Sequence, residues 1–229
     1  KFMTVHMQQD SKHTSYETLR PYKSYPNLEI RLACVEDGID NTGFRKISAY
    51  IKSVHPNTKV AYIPTGNYRS LIGYMKEKDG VNFNDIDIHK VAQFMAKGDI
   101  AAFSSMTQSA AIVYKIIADI RRINPHSYII WGGIHAIIQP EDAIKYADAV
   151  CTGEGEFAFK TFLELFKNGN DFTSTPSFWF RKDKNIIKNK NLPLMTPKQM
   201  DELPPLTYLD DELIYNHKTG FKTLESMDL

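Results

Sequence analysis

Cysteine is scarce in this sequence. Cys34 and Cys151 are its only two, each in apolar surroundings. They are too far apart for a Cys-x-x-Cys metal knuckle and too few for a disulfide framework, so a reducing cytoplasm is the simplest compartment. Long apolar runs are missing too: none approaches the roughly 20 residues that span a bilayer. Lys1 to Asp10 has no apolar stretch of the signal-peptide kind. The expectation is a soluble protein with no membrane partner. An excess of charge is also absent, with 28 Lys plus Arg against 27 Asp plus Glu. The resulting net charge of +1 supplies no field that would gather nucleic acid. No repeat recurs at solenoid or propeller spacing. What is present is ordinary globular material, 42% hydrophobic over 229 residues, enough to bury a sizeable core without staples.

The pattern along the chain divides it into residues 1–27, a polar lead-in without helical or strand period; 28–170, an α/β domain; and 171–229, a hairpin and a proline-rich extension. From Leu28 onward, strands alternate with helices. Ile30 to Val35 reads as a buried strand, and Phe44, Ile47, Ile51 and Val54 fall at helical spacing after Gly43. Lys59 to Ile63, Ile100 to Phe103, Tyr128 to Trp131 and Ala149 to Thr152 give four more strands. Helices are expected over Asp87 to Ala96, Ser109 to Ile123, Pro140 to Tyr146 and Glu156 to Asn168, with a further helical piece around Ser70 to Lys76.

Crossovers of this length require a parallel sheet covered on both faces. Five units with one early switch point predict a flavodoxin-like (Rossmann-like) doubly wound sheet in the order 2-1-3-4-5. Ser177 to Arg181 and Asn185 to Lys188 flank Lys182-Asp183-Lys184 as a β-hairpin. Pro193 to Leu209 reads as an extended strap, after which no terminal element is evident.

Ligands of such sheets bind outside the carboxyl ends of the strands. Four loops there are polar and glycine-rich: Glu36 to Gly43, Ser104 to Thr107, Gly132 to His135 and Thr152 to Glu156. Gly132-Gly133 lets backbone approach a ligand, and Ser104, Ser105 and Thr107 offer hydroxyls near a helix start. Each loop alone is equally a tight turn with caps. A response-regulator pocket built on Glu36-Asp37 fails, because strand three ends in Ser104 and strand five has no terminal Lys.

Taken in order, Phe103-Ser104-Ser105-Met106-Thr107, Trp131-Gly132-Gly133-Ile134-His135-Ala136 with Pro140-Glu141, and Ala147 to Glu156 resemble the N-terminal cobalamin (B12)-binding domain of radical SAM enzymes. Asp201-Glu202-Leu203-Pro204-Pro205 resembles the segment that leads from that domain into the catalytic barrel. The resemblance implies a cobalamin module, with the corrin on the rim and the nucleotide tail along the sheet beside strands three to five. Its implied cofactor contacts are Asp40, Thr42, Ser104, Ser105, Thr107, Gly132, Gly133, His135, Gly153, Glu154 and Gly155, with Tyr62, Tyr68, Tyr74 and Met75 as candidate walls above the corrin. Bulk at Gly133 is expected to abolish cofactor uptake without unfolding the chain, and loss of the Ser105 hydroxyl to weaken it.

Two departures shape that implication. Mutases and methionine synthases carry Asp-x-His-x-x-Gly after strand one, but no His lies between Ile30 and Val54 here, so no protein metal ligand is assigned. Two distant cysteines also cannot hold a [4Fe-4S] cluster. The chain is therefore expected not to be catalytic alone. The radical SAM barrel of a parent methyltransferase would hold the cluster and S-adenosylmethionine. The alternatives are a docking domain of the same fold that has lost its cofactor and, more weakly, an FMN domain.

Overall fold

In the computed structural model, residues 23–36, 39–65, 86–206 and 211–223 are described. The expected helix around Ser70 to Lys76, with Tyr68, Tyr74 and Met75, lies outside them, as does most of the lead-in.

Ile30–Val35 (β1) is buried at every position, as a central strand covered on both faces requires. Thr42–Val54 (α1) starts at Asn41, whose side chain accepts the Phe44 N–H. Thr58–Tyr62 (β2) and Ile88–Met95 (α2) follow, the helix capped by Asp87. Ile100–Ser105 (β3) leads through a 3-10 turn at Thr107–Ser109 into Ala110–Ile123 (α3). Tyr128–Gly132 (β4), Gly133–Ile138 (α4), Pro140–Ala143 (α5), Ala149–Cys151 (β5) and Glu156–Lys167 (α6) complete the alternation. Helix α4 was not expected: its Gly-Ile-His-Ala-Ile-Ile sequence is too short to show a helical period.

The five strands are parallel and lie in the order 2-1-3-4-5, as the sequence predicts. Register aligns Leu32, Ala102 and Ile130 in one row across β1, β3 and β4, and Cys34, Ser104 and Gly132 in the row above. Both rows face α1 and α6 and share their hydrophobic cluster, with Phe44, Ile51, Phe159 and Phe162. The intervening residues Ala101, Phe103, Ile129 and Trp131 point to the other face, where Val91, Val113, Ile116 and Ala143 of α2, α3 and α5 cover them. At the amino ends, buried Asp148 accepts the Ile129 N–H at 2.7 Å and pairs with Arg121 at 2.7 Å.

Two hairpins extend the sheet to nine strands. Phe178–Lys182 (β6) and Asn185–Lys188 (β7) form the expected hairpin, and β6 joins β5 antiparallel. Asp183 adopts φ 56° in its two-residue turn, a conformation that Asp tolerates and that hairpin turns of this length demand. The proline-rich segment then runs outside the sheet, interrupted by Pro197–Asp201 (α7), which a Thr196–Gln199 capping box starts.

The chain does have a terminal element, contrary to expectation. Leu213–Asn216 (β8) lies parallel to β2, and Gly220–Thr223 (β9) pairs back on it. The strands are only four residues long, and the turn is held by Asn216 Oδ1 accepting the N–H groups of Lys218 and Thr219. Ahead of β8, buried Glu212 accepts from Arg45 Nη1 at 3.3 Å and from the Tyr62 hydroxyl at 3.2 Å, fixing this edge to α1 and β2. Tyr62 is thus fully buried and forms no wall above a rim ligand. Among the described residues, no helix is long and apolar enough to cross a membrane.

Candidate functional site

The face under α1 and α6 is not filled. A cavity of about 240 Å³ lies there, reaching the carboxyl ends of β1, β3, β4 and β5. Strand alternation and residue size together make it. Ala102, Ser104 and Gly132 are small residues at the centre of the two rows, so the space over β3 and β4 stays open, while Leu32, Ile130, Phe159 and Phe178 form apolar walls. Helix α1 contributes Gly43, Phe44 and Ile47, and α4 contributes Ile134 and Ile137, which remain 44% and 45% exposed at the mouth.

Polar lining groups sit at the strand ends and helix starts. Asn41 donates to Glu36 Oε2 at 2.6 Å while its own oxygen caps α1, so a single side chain ties the first loop to the helix. Glu154 accepts the Met195 N–H at 2.7 Å, anchoring the proline-rich segment to the mouth. Glu156, the first residue of α6, is buried, and burial is the chief reason its pKa is raised, with the charge of Glu154 adding to the effect. No Lys, Arg or His is among the described lining residues. The cavity therefore suits an uncharged, largely apolar group entering from the rim, with anions kept outside.

Of the residues singled out from sequence, Ser104, Gly132, Gly133, Gly153, Glu154 and Gly155 meet at this cavity. Asp40 and Thr42 are exposed at the start of α1, beside it but not lining it, and Thr107 is exposed in the 3-10 turn. Ser105 and His135 point to the opposite face. The Ser105 hydroxyl is buried and accepts the Trp131 indole N–H at 3.0 Å. His135, 2% exposed, packs on Trp131 and places Nε2 3.3 Å from the Tyr114 hydroxyl, which in turn donates to Asp142. Burial lowers the His135 pKa, and nearby Asp142 offsets part of that shift.

The two adjacent glycines both line the cavity but differ in the room around them. Gly133 has φ 82°, and a Cβ there would stand 2.7 Å from both Ser104 Oγ and Ser105 N. Its missing side chain makes room for the chain's own backbone, so a Val there would disturb the fold itself, against the expectation that bulk at Gly133 abolishes cofactor uptake without unfolding the chain. At Gly132 the nearest atoms are 3.7 and 3.8 Å from the added Cβ, an ordinary contact, so space there is available to a ligand. Sequence reading missed Asn41, the Leu32–Ala102–Ile130 row and the Ile134–Ile137 collar. Strand register and the helix after Gly132 bring them together, and neither is visible as a motif.

Both cysteines are buried, and burial pushes the Cys151 thiol up to about 12. Among the described residues, no group of three or more His, Cys, Asp or Glu is arranged to hold a metal ion.

Comparison with known proteins falls on the same strands. Residues 58–163 match the family model of the B12 binding domain. A protein of Pyrococcus horikoshii named as an uncharacterized methyltransferase is 23% identical over 129 residues, which is 54% of this chain and 28% of that protein. The radical S-adenosylmethionine methyltransferase TsrM from Kitasatospora setae, solved with cobalamin and a [4Fe-4S] cluster bound, superposes with a TM-score of 0.53 at 12% identity, over 78% of this chain and 31% of that one. The cobalamin-dependent S-adenosylmethionine radical enzyme OxsB, solved with aqua-cobalamin and S-adenosylmethionine bound, gives 0.50 at 14% identity, over 73% of this chain and 23% of that one. At these identities the solved structures share the fold, and the chain spans less than a third of the length of each relative. Family match and fold meet on β2 through α6, the part of the chain that is similar to a B12 binding domain.

Proposed function

We propose that this chain binds cobalamin in the cavity under α1 and α6 and serves as the cofactor-holding part of a B12-dependent radical SAM methyltransferase. The observation that carries the reading is the open trough over Ala102, Ser104 and Gly132, which reaches the carboxyl ends of β1, β3, β4 and β5 inside the family-matched region. The residues fit the group. The nucleotide tail is the slender part of the cofactor and suits a narrow apolar trough, while the broad corrin suits the rim with its Ile134–Ile137 collar.

When bound, cobalamin supplies the cobalt centre for methyl transfer. The protein supplies position, exclusion of water and electrostatics. Gly132 and Ser104 line the trough that would hold the tail, and the Ser104 hydroxyl would partner polar atoms that become buried. Asn41 holds Glu36 and the start of α1 in place, and Glu154 ties the proline-rich segment to the loop after β5. No described His lines the cavity, so no protein imidazole is assigned below cobalt. A radical SAM barrel would be the partner, holding the [4Fe-4S] cluster and S-adenosylmethionine that two buried cysteines cannot hold.

The test is retention of colour. The chain is incubated with hydroxocobalamin and desalted, and its visible spectrum should show the corrin bands at stoichiometric level. In the cob(II)alamin form, electron paramagnetic resonance should show no superhyperfine splitting from an axial nitrogen. A colourless protein after desalting would leave only a docking domain of this fold, and clear nitrogen splitting would refute the unligated lower face.

A further inference from the structure

Helix α4 joins the two faces of the sheet. Ile134 and Ile137 stand at the cavity mouth, while His135 and Ala136 are buried on the packed face. At six residues the helix is too short to hold itself, and its start has no side-chain cap. Its only polar side chain is His135. The ring packs on Trp131 of β4 with centroids 4.9 Å apart, and Nε2 lies 3.3 Å from the Tyr114 hydroxyl of α3 and 3.7 Å from Asp142 Oδ2 of α5. One side chain thus ties α4 to three elements of the packed face.

The hydrogen bonds fix the tautomer. The Tyr114 hydroxyl donates to Asp142, so it accepts from Nε2–H, and Nδ1 is the unprotonated nitrogen. Nδ1 is buried and, among the described residues, has no hydrogen-bond partner. A second proton would put a donor there with nothing to accept it, at the cost of an orphaned buried N–H. The Asp142 carboxylate opposes that cost by attracting the charge; Tyr146 stacks on Tyr114 and Lys145 pairs with Asp142 farther out. Burial outweighs Asp142, so the neutral ring is the one that fits.

We infer that His135 is a positioning residue for the cavity mouth: its neutral ring seats α4, and a second proton on the ring unseats the helix and displaces Ile134 and Ile137. The consequence for the cofactor rests on the binding reading above: cobalamin binds most tightly while His135 is neutral and more weakly once the ring is protonated.

Two measurements test the two steps. In proton–carbon NMR spectra of the chain without corrinoid, from about pH 5 to about pH 8, the His135 ring and the Ile134 and Ile137 methyl groups should shift with one midpoint, below 6.5. Hydroxocobalamin titrations over the same range compare the parent with His135→Phe, which keeps an aromatic ring on Trp131 and takes no proton. Glu36, Glu154 and Glu156 at the cavity, and the corrinoid itself, titrate alike in both proteins and cancel in the comparison. The affinity of the parent relative to the variant should therefore fall roughly three- to tenfold on acidification. A His135 ring that titrates while both isoleucines stay still, or one that stays neutral down to about pH 5, would overturn the inference. A relative affinity that is constant with pH in folded His135→Phe, as judged by circular dichroism, would overturn it too. If the variant does not fold, the NMR titration of the parent decides. Absence of corrinoid binding at every pH would refute the binding reading alone, and the same NMR titration would still decide whether His135 seats α4.

Discussion

The two faces of the sheet are built from alternate residues of the same strands, yet among the described residues one is covered by large packed side chains and the other holds a cavity. On β3 and β4, Ala101, Phe103, Ser105, Ile129 and Trp131 face α2, α3 and α5, where aromatic and branched side chains fill the space and the polar atoms find partners inside, as Ser105 does with Trp131. Ala102, Ser104, Ile130 and Gly132 face α1 and α6, where two helices span the sheet and small residues leave a trough. Side-chain volume, set by a period of two, decides which face can accept a ligand. Polarity does not: a serine and a helical residue of the 133–138 segment stand on each side.

The sharpest way to break this comparison is to add one carbon to each member of the Gly132–Gly133 pair. Gly133→Ala combines a positive φ with approaches of 2.7 Å to Ser104 Oγ and Ser105 N. Strain and overpacking together should cost roughly 2–5 kcal/mol of folding stability. Gly132→Ala meets nothing closer than 3.7 Å and should stay within about 1 kcal/mol of the parent. Chemical denaturation followed by circular dichroism reads both. If the two variants lost equal stability, the open room at Gly132 and the tight backbone approach at Gly133 would not be as the structure has them.

That pair also marks how far the sequence can be read. Five apolar runs alternating with five helical patterns are enough for the strand order, because crossover handedness and a covered parallel sheet leave few arrangements. Gly132, Ser104 and Gly153 were legible as rim residues because they follow strand ends directly. Ser105 and His135 stood in the same short motifs, yet side-chain alternation and the unexpected α4 turned them to the packed face. The cavity floor was hidden for a different reason: Leu32, Ala102 and Ile130 are ordinary strand residues 70 and 28 positions apart, and only register makes them neighbours. The terminal hairpin escaped because its strands are four residues each, too short for a convincing alternation, and its attachment through Glu212 to Arg45 is a tertiary fact.

A smaller effect sharpens the same contrast at the two adjacent serines. Ser105→Ala leaves the buried Trp131 indole N–H without its acceptor and should destabilise the fold by about 1–3 kcal/mol. Ser104→Ala removes a hydroxyl that lines the cavity, and its expected cost appears in binding: about 1 kcal/mol, or roughly fivefold in cobalamin affinity, with little change in stability. Thermal melts and hydroxocobalamin titrations on both variants separate the two roles. The assignment of faces would be refuted if Ser105→Ala lost affinity at unchanged stability while Ser104→Ala did the reverse.

The smallest expected effect is in pH dependence, and here the faces should differ in sign. On the packed face, burial lowers His135 below its ordinary 6.5, so the unfolded chain binds a proton there more readily than the folded one. Its contribution is complete above 6.5 and declines as pH falls through the window below that value. On the hollow face, burial raises Glu156 above its ordinary 4.5, so the folded chain holds the proton more tightly. Its contribution is complete below 4.5 and declines as pH rises toward the folded-state value. Glu156→Gln removes the ionisable group while keeping its shape, and should be more stable than the parent at neutral pH, with the advantage shrinking on acidification. His135→Gln should be less stable than the parent at every pH because the ring leaves Trp131, with the deficit shrinking on acidification as the parent loses the neutral-histidine contribution. Melting temperatures from about pH 5 to about pH 8 read both differences. A Glu156→Gln advantage that grew as pH fell would mean that the carboxylate is stabilised in its charged form, and that the cavity wall beside α6 is far more polar than its residues imply.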